Sequence, residues 1–358
     1  MAVSLGMKIL VVLGIFDHGG AQRVVSHLSM SWAKSHQVTI VLFENHQPIY
    51  PFGGEIHYLK TPTSRNPLVK IWRNVQRVTR LVGLIRRGGF THLIGLMEFA
   101  NLPLIVAGLV TGNLNRTIVS VHRSVTHIAW YHRALMRVLY QLPRRVVAVS
   151  FVIEQQLIAM GLPKAKITFI TNPAPDVPTG PLLRPTRGEK YILAVGRLGK
   201  RKGFDLLLRA YVALPNPKPD LVILGEGEER QALTDLAQRL GISQQVHLIG
   251  TVPHPENWYA HAELFVLSSR FEGWGMVIVE AMTCGCPVVS FACPTGPDEI
   301  IAHGKNGLLV ENGNVEGLTK GMAQLLGDAK LSQRLAVAGR KRARDFDVEK
   351  IAPLWLKP

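Results

Sequence analysis

A chain of 358 residues with 47% hydrophobic content can bury a sizeable core. Disordered and fibrous classes are therefore excluded, and the length suggests two domains rather than one. Charge is lopsided: of the formal +16, the first 175 residues carry 19 Lys plus Arg against 5 Asp plus Glu, and the remainder 22 against 20. So basic a first half implies an acidic partner, either nucleic acid or the anionic head groups of a membrane.

From the N-terminus, Lys8 precedes the run ILVVLGIF, and Asp17-His18-Gly19-Gly20 follows at once. No signal-cleavage pattern is present there, and the run reads as a first strand. A helix from about Ala21, the strand VTIVLF and a helix over 68–87 come next. Leu93 to Val110 approaches membrane-spanning length, but Glu98, Asn101 and Pro103 interrupt it, which predicts strand, loop and helix. TIVSVH and RRVVAVS complete a first series of parallel βαβ units. The segment 171–190, with five Pro and two Gly, reads as an exposed linker.

The alternation then restarts with YILAVGRL, DLVILGEG, VHLIG, LFVLSS and CPVVSF, separated by helical patterns. The expectation is an α/β protein of two doubly wound Rossmann-like domains facing across a cleft, since open parallel sheets bind ligands at the carboxyl ends of their strands. We place a first domain at 1–172, a linker at 173–189, a second domain at 190–331, and a C-terminal helix over 332–358 that crosses back to the first domain. Cys284, Cys286 and Cys293 are too few and too clustered for a disulfide framework, so a reducing cytosol fits best.

Chemistry concentrates in the second half. In SSRFEGWGMVIVEAM, Glu272 and Glu280 flank a loop with Gly273 and Gly275 that leads from a strand into a helix. Glycines there let backbone N–H groups approach a ligand, and the helix N-terminus favours an anion. Glu280, a turn inside the helix, could accept hydrogen bonds from ribose hydroxyls. An ordinary surface Glu pair flanking a turn fits the spacing as well. VGRLGKRKG places Arg197, Lys200, Arg201 and Lys202 between a strand and a helix. Fixed cations there could neutralise a departing diphosphate. Arg197 and Lys202 are the preferred pair, with Lys200 and Arg201 read as solvated. Asp345-Phe346-Asp347 resembles a D-x-D metal signature but lies far from every strand end. The twelve His other than His122 show no metal-ligand spacing, so no metal is expected.

GRLGKRKGFD, LGEGEER, VHLIGTV, the E-x7-E segment and CPTGPDEII, together with GGAQRVV near the start, occur in the order seen in glycosyltransferase family 4, which this sequence resembles over most of its length. The resemblance implies a retaining GT-B enzyme that uses a nucleoside-diphosphate sugar as co-substrate, with no cofactor and no metal at the active site. It implies that Arg197 and Lys202 bind the diphosphate, that Glu280 holds the donor ribose, and that Glu272 lies nearest the sugar. The backbone at Gly273, Trp274, Gly275 and Met276 would contact sugar hydroxyls and phosphates, although Trp274 stands where Phe is more usual. Gly19 and Gly20 would form the glycine loop of the first domain. Gly225 of LGEGEER joins the donor-binding set, and His122 lies where the family often has a His beside the donor sugar. Gln22 stands where Glu is often found. CPTGPDEII is similar to the segment in bacterial enzymes that handle N-acetylhexosamines in surface-glycan assembly, which implies a UDP-sugar and a polyprenyl-diphosphate-linked glycan acceptor.

Residues 68–87 put Leu68, Trp72, Val75, Val78, Val82 and Ile85 on one helical stripe, with Lys70, Arg73, Arg77 and Arg80 beside it. Such a helix can rest on an anionic leaflet, or it can pack on its own sheet with a solvated basic edge. WYHRALMRVLYQLPRR, from Trp130 to Arg145, adds aromatic residues among basic ones. Both stretches point to a cytoplasmic protein held peripherally at the inner face of the cell membrane. Three rivals are weaker. A dinucleotide oxidoreductase would need G-x-G-x-x-G where the sequence reads GIFDHGGAQ. A nucleic-acid binder lacks helix-turn-helix, zinc-finger and RRM signatures, so no nucleic acid partner is expected. A sugar-nucleotide epimerase on the same fold would need no acceptor.

Overall fold

The computed structural model describes residues 6–16, 19–45, 47–64, 66–175 and 190–357; from 176 onward the expected linker lies outside the described residues. Two compact units form. Unit 1 comprises Met1–Pro173 with Val348–Pro358, and unit 2 comprises Ala174–Asp347.

Unit 1 is built from β1 (Lys8–Leu13), α1 (Gly20–Trp32), β2 (Gln37–Leu42), β3 (Glu55–Tyr58), α2 (Pro67–Gly88), β4 (His92–Leu96), α3 (Glu98–Val110), β5 (Thr117–Val121), α4 (Trp130–Leu139), β6 (Arg145–Ala148), α5 (Phe151–Ala159) and β7 (Ile167–Phe169). Its seven parallel strands take the order β3-β2-β1-β4-β5-β6-β7. Unit 2 follows with β8 (Tyr191–Val195), α6 (Phe204–Val212), β9 (Asp220–Leu224), α7 (Arg230–Arg239), β10 (Val246–Gly250), α8 (Pro255–His261), β11 (Leu264–Leu267), α9 (Met276–Thr283), β12 (Val288–Ala292), α10 (Pro297–Ile300), β13 (Leu308–Glu311), α11 (Val315–Gly327) and α12 (Ala329–Ala343). Its sheet runs β10-β9-β8-β11-β12-β13, also parallel. The expected α/β class with two Rossmann-like sheets is thus observed.

The central strands are mostly apolar and buried along their length because helices cover both faces of a parallel sheet. Every residue of β4, β5 and β11 is buried. Strand order reverses between β1 and β4 in unit 1 and between β8 and β11 in unit 2. Ligands of doubly wound sheets bind outside the carboxyl ends of the strands at such a reversal. In unit 2 the two loops flanking it are those that carry Arg197 to Lys202 and Glu272 to Gly275.

Two expectations need correction. The helix expected over 332–358 is two helices: α12 ends at Ala343, a 3-10 turn spans Arg344–Phe346, and α13 (Val348–Leu356) belongs to unit 1. Phe346 on the turn is buried against Trp274, and Asp345 pairs with Arg342 at 2.9 Å. In unit 1, Trp32 Nε1 donates to Ala352 O at 3.0 Å, and Arg145 Nη2 donates to Trp355 O at 2.6 Å. The amphipathic stripe of α2 is the second correction. Leu81 and Ile85 lie in the core beneath the helix, with Val82 packed on it. The N-terminal part of the helix leaves apolar residues in solvent, Leu68 at 77%, Ile71 at 63%, Trp72 at 60% and Val75 at 47% exposure. Arg77 is buried: Nη2 donates to Thr61 O at 2.9 Å and the guanidinium lies 4.4 Å from the Phe43 ring centroid. Arg80 donates to Leu59 O. Both arginines tie α2 to the chain leaving β3, so neither belongs to a free basic edge.

α4 is less covered still. Met136 is its one buried residue, while Trp130, Tyr131, Leu135 and Val138 face solvent. No helix among the described residues is long and apolar enough to cross a membrane. Leu93 to Val110 divides into β4 and α3, with Pro103 inside the helix.

Candidate active site

In unit 2 the loop after β8 closes with a 3-10 turn, Lys200–Lys202, and Gly203 then enters α6 at φ +62. Only glycine takes that conformation cheaply, and a Cβ at Gly203 would also strike Ser268 O. The turn is clamped to the loop after β11. Arg270 grips Asp205 through two bonds of 2.8 and 2.7 Å and donates to Lys200 O at 2.8 Å. Ser268 Oγ donates to Lys202 O at 3.0 Å. The Arg270 hydrogen bonds hold the Asp205 carboxyl below its ordinary range despite partial burial.

That clamp brings Lys202 Nζ to 2.6 Å from Glu272 Oε1, which also accepts from Ser269 Oγ at 2.6 Å. Both side chains of the ion pair are nearly enclosed, at 12% and 8% exposure. Burial alone would raise the Glu272 pKa, but the charge of Lys202 and the bonds from Lys202 and Ser269 outweigh it, and the carboxyl sits below its ordinary value. A buried ion pair is an inefficient source of stability because desolvation cancels much of the attraction. Its position at the strand reversal makes it instead a fixed, dry charge with a nearby anion-favouring helix start. There Gly275, at φ +98, precedes α9, whose first turn has no side-chain cap. The Ile278 N–H is taken by Gly275 O at 2.9 Å, and no side chain caps the start of the helix, an end that favours an anion.

Three of the other residues expected here are placed differently from one another. Glu280 is buried in α9 and accepts from Tyr259 O–H at 3.0 Å. Arg197 lies in solvent at 78% exposure, paired with Glu228 at 3.2 Å rather than with the buried pair. Gly225, at φ +132, packs its backbone on Gly196 O, where a Cβ would clash. Trp274 turns its ring inward, edge-on to Phe346 at 4.9 Å, so the backbone of 273–276 is what this loop offers a ligand. Thr295, a non-glycine at φ +70, donates to Glu272 O and fixes the loop from the α10 side. Arg270, Ser268, Ser269, Tyr259 and Thr295 are the supporting residues that sequence reasoning missed. The only signal was the position of Arg270 and the two serines inside the SSRFEG segment.

In unit 1, Gly19 caps α1 in extended conformation without a side-chain cap, and Gly20 opens the helix; Asp17 and His18 lie outside the described residues. A Cβ at Gly19 would meet Gln22 Oε1, and Gln22 Nε2 donates to Ile15 O at 3.4 Å. His122 follows β5, with Nε2 2.9 Å from Ser120 Oγ. Burial lowers its imidazole to about 4. Among the described residues, no group of three or more His, Cys, Asp or Glu is disposed to hold a metal ion. The three cysteines are free, and burial raises each thiol, Cys284 to about 12.

Comparison with known proteins identifies the family. A family model described as Glycosyl transferases group 1 matches residues 183–342, and one described as Glycosyltransferase Family 4 matches residues 18–176. The N-acetylgalactosamine-N,N'-diacetylbacillosaminyl-diphospho-undecaprenol 4-alpha-N-acetylgalactosaminyltransferase of Campylobacter jejuni is 29% identical over 96% of this chain and 98% of its own. The amylovoran biosynthesis glycosyltransferase AmsD of Erwinia amylovora is 26% identical over 97% and 98%. Among solved structures, HepE of Anabaena in complex with UDP-glucose superposes with a TM-score of 0.82 at 21% identity, covering 98% of both chains. Its likeness is one of fold, the GT-B architecture. With the two family models together spanning most of its length, the chain belongs to the glycosyltransferases of family 4.

Proposed function

We propose that this glycosyltransferase is retaining and metal-independent, and that it moves an N-acetylhexosamine or hexose from a UDP-sugar onto a polyprenyl-diphosphate-linked glycan in bacterial surface polysaccharide synthesis. The observation that carries the reading is the enclosed Lys202–Glu272 pair beside the uncapped start of α9. An entering diphosphate brings the negative charge that Lys202 and the α9 N–H groups can hold, and the ion pair keeps Lys202 in place before it arrives. Arg197, on its exposed loop, would leave Glu228 and close on the diphosphate; Glu280, steadied by Tyr259, would accept from the ribose. Gly225 and the 273–276 backbone complete the donor-binding set of unit 2, and Gly19, Gly20 and His122 are the corresponding residues of unit 1.

In the transfer step the bond from the anomeric carbon to the diphosphate oxygen breaks and the bond to the acceptor oxygen forms on the same face. The acceptor proton passes to the departing diphosphate, so the anomeric configuration is kept and no protein nucleophile is required. Rate would come from positioning and from neutralising the leaving group. The acceptor names carried by the Campylobacter relative support a lipid-linked glycan, and the structure title of the Anabaena neighbour supports a UDP donor. A donor screen by thermal shift, followed by NMR of the product and assay with a chelator, tests the reading. A melting point raised by UDP-sugars, a product with the donor's anomeric configuration and activity insensitive to chelation are expected. Conversion of the donor without any acceptor would favour an epimerase instead.

The membrane side of the proposal moves to the residues the structure exposes. Leu68, Ile71, Trp72 and Val75 on α2 with Trp130, Tyr131, Leu135 and Val138 on α4 form its apolar contacts, and Lys70, Arg73 and Arg133 are its charges toward an anionic leaflet. A cytoplasmic, peripheral location follows from that docking.

A further inference from the structure

α12 is charged in a way that the rest of its half of the chain is not. Residues 329–344 hold six Lys plus Arg and no Asp or Glu, whereas the remainder of 176–358 holds 16 against 20. The acidic residues beside the helix are committed: Asp328 caps it by accepting from Leu331 N at 2.9 Å, and Asp345 pairs with Arg342. Arg334 donates to Gly304 O at 3.2 Å. Arg340, Lys341 and Arg344 instead line a cavity of about 430 Å³, together with Gln333, Val337 and, just past the end of α9, Gly285. No acidic residue is among those lining it.

The backbone makes room for this arrangement. Gly285 sits at φ +73, and a Cβ there would meet Arg340 Nη2 at 2.3 Å, so only glycine lets the guanidinium lie where it does. Arg340 Nη2 donates to Cys284 O at 3.0 Å, at the carboxyl end of α9, which fixes the group and leaves further N–H donors in its fork for a second acceptor. Lys341 has no hydrogen-bond or ion-pair partner among the described residues. Arg340 and Arg344 stand one turn apart, where like charges repel. Val337, one turn before Lys341, leaves 67% of its aliphatic surface in water beside them. A phosphate ester answers each feature: its oxygens supply the missing negative charge, and its organic part can cover Val337. The volume lies within the range of small-molecule sites.

Both walls of the cavity lead to the loop 273–276. Gly285 ends α9, an eight-residue helix whose first residue is Met276. Two residues beyond Arg344, Phe346 is buried against the Trp274 ring. A ligand that moves either wall therefore acts on the backbone assigned above to the donor.

We propose that this cavity is an effector site: a soluble phosphate ester binds between Gly285 and α12, and its occupancy alters donor binding at the 273–276 loop. The second half of this statement rests on the proposed donor site, whereas the first does not.

Methyl NMR of the full chain, carbon-13-labelled at valine and titrated with inorganic phosphate and with phenyl phosphate, tests the site without any sugar nucleotide. Saturable movement of the Val337 signals is expected with both probes. Lys341→Glu, with folding checked by its melting curve, should weaken that response by about tenfold or more, and Lys341→Arg should keep it. Equal titration in Lys341→Glu, or the same movement with sodium chloride at matched ionic strength, overturns the site. Movement caused by vesicles containing phosphatidic acid but not by either soluble probe would assign the cavity to a lipid headgroup and overturn the soluble ligand. For the second half, the affinity for UDP-glucose is measured with and without phenyl phosphate. A change in wild type that disappears in Lys341→Glu is expected. An equal change in both proteins is competition at the donor site, and it overturns the coupling, as does no change with a donor that demonstrably binds. If no UDP-sugar binds, the donor reading fails and the coupling with it, while the Val337 titration decides the site alone.

Discussion

The carboxyl ends of the two sheets are furnished by opposite means. In unit 2 the residues at the strand reversal are charged and already paired: Lys202 with Glu272, Arg197 with Glu228, Arg270 with Asp205. Unit 1 has a neutral histidine, an uncapped glycine turn and helices whose first turns leave Trp72 and Trp130 in water. The difference teaches where each kind of work is done. Neutralising a leaving group needs charges that do not reorganise when the bond breaks, and a network that holds them before the ligand comes supplies that. Under the proposed function, receiving a lipid surface would need apolar area instead, and unit 1 exposes such area on α2 and α4.

Breaking the paired side should have the largest effect. Glu272→Ala leaves Lys202 enclosed without its counter-charge, and a loss of about 3–5 kcal/mol in denaturant unfolding is expected. A variant as stable as wild type would mean that the pair is far better solvated than its enclosure indicates. In unit 1 the contrast between the buried Arg77 and the half-exposed Arg73, which bonds only Gln76 on its own helix at 3.0 Å, can be sharpened directly. Arg77→Ala removes the bonds to Thr61 and the stacking on Phe43, and should cost about 2–3 kcal/mol; Arg73→Ala should cost under about 0.5 kcal/mol. Equal values would return Arg77 to the basic edge from which the structure removes it.

His122 contributes a pH dependence. Folding depresses its imidazole from 6.5 to about 4, so between those values the unfolded chain binds the extra proton. The contribution is complete above about pH 6.5 and is lost as pH falls toward 4, on the order of 3 kcal/mol in all. Unfolding of His122→Asn followed across this window should lack that slope. The smallest effect is expected at the membrane face. Lys70→Glu with Arg73→Glu should weaken flotation with anionic vesicles by about 1 kcal/mol per charge and leave binding to neutral vesicles unchanged. Retention of full anionic binding would exclude the first turns of α2 from the contact.

Which features were legible in the sequence follows from how each is stabilised. Runs such as KILVVL and TIVSV declare central strands because both their faces are covered. β3, β7 and β13 were not recognised, and all three lie at sheet edges. β3, with every second residue exposed, offers no apolar run, and β7 is only three residues long. The loops carrying Lys202 and Glu272 were readable as motifs. Their contact was not, since it joins residues 70 apart through a clamp, Arg270 on Asp205, that no spacing rule describes. Trp274 shows the same limit: its neighbour Phe346 lies in a stretch that reads as uninterrupted helix, so neither the turn nor the inward ring could be foreseen.

The central claim is that a fixed cation at Lys202 neutralises the departing diphosphate. Single-turnover transfer by Lys202→Ala at saturating donor measures this most directly, with folding checked by its melting curve. A folded variant whose rate falls by about 10²–10³ is the predicted result. A rate within a few fold of wild type in a folded variant that still binds donor would contradict the account.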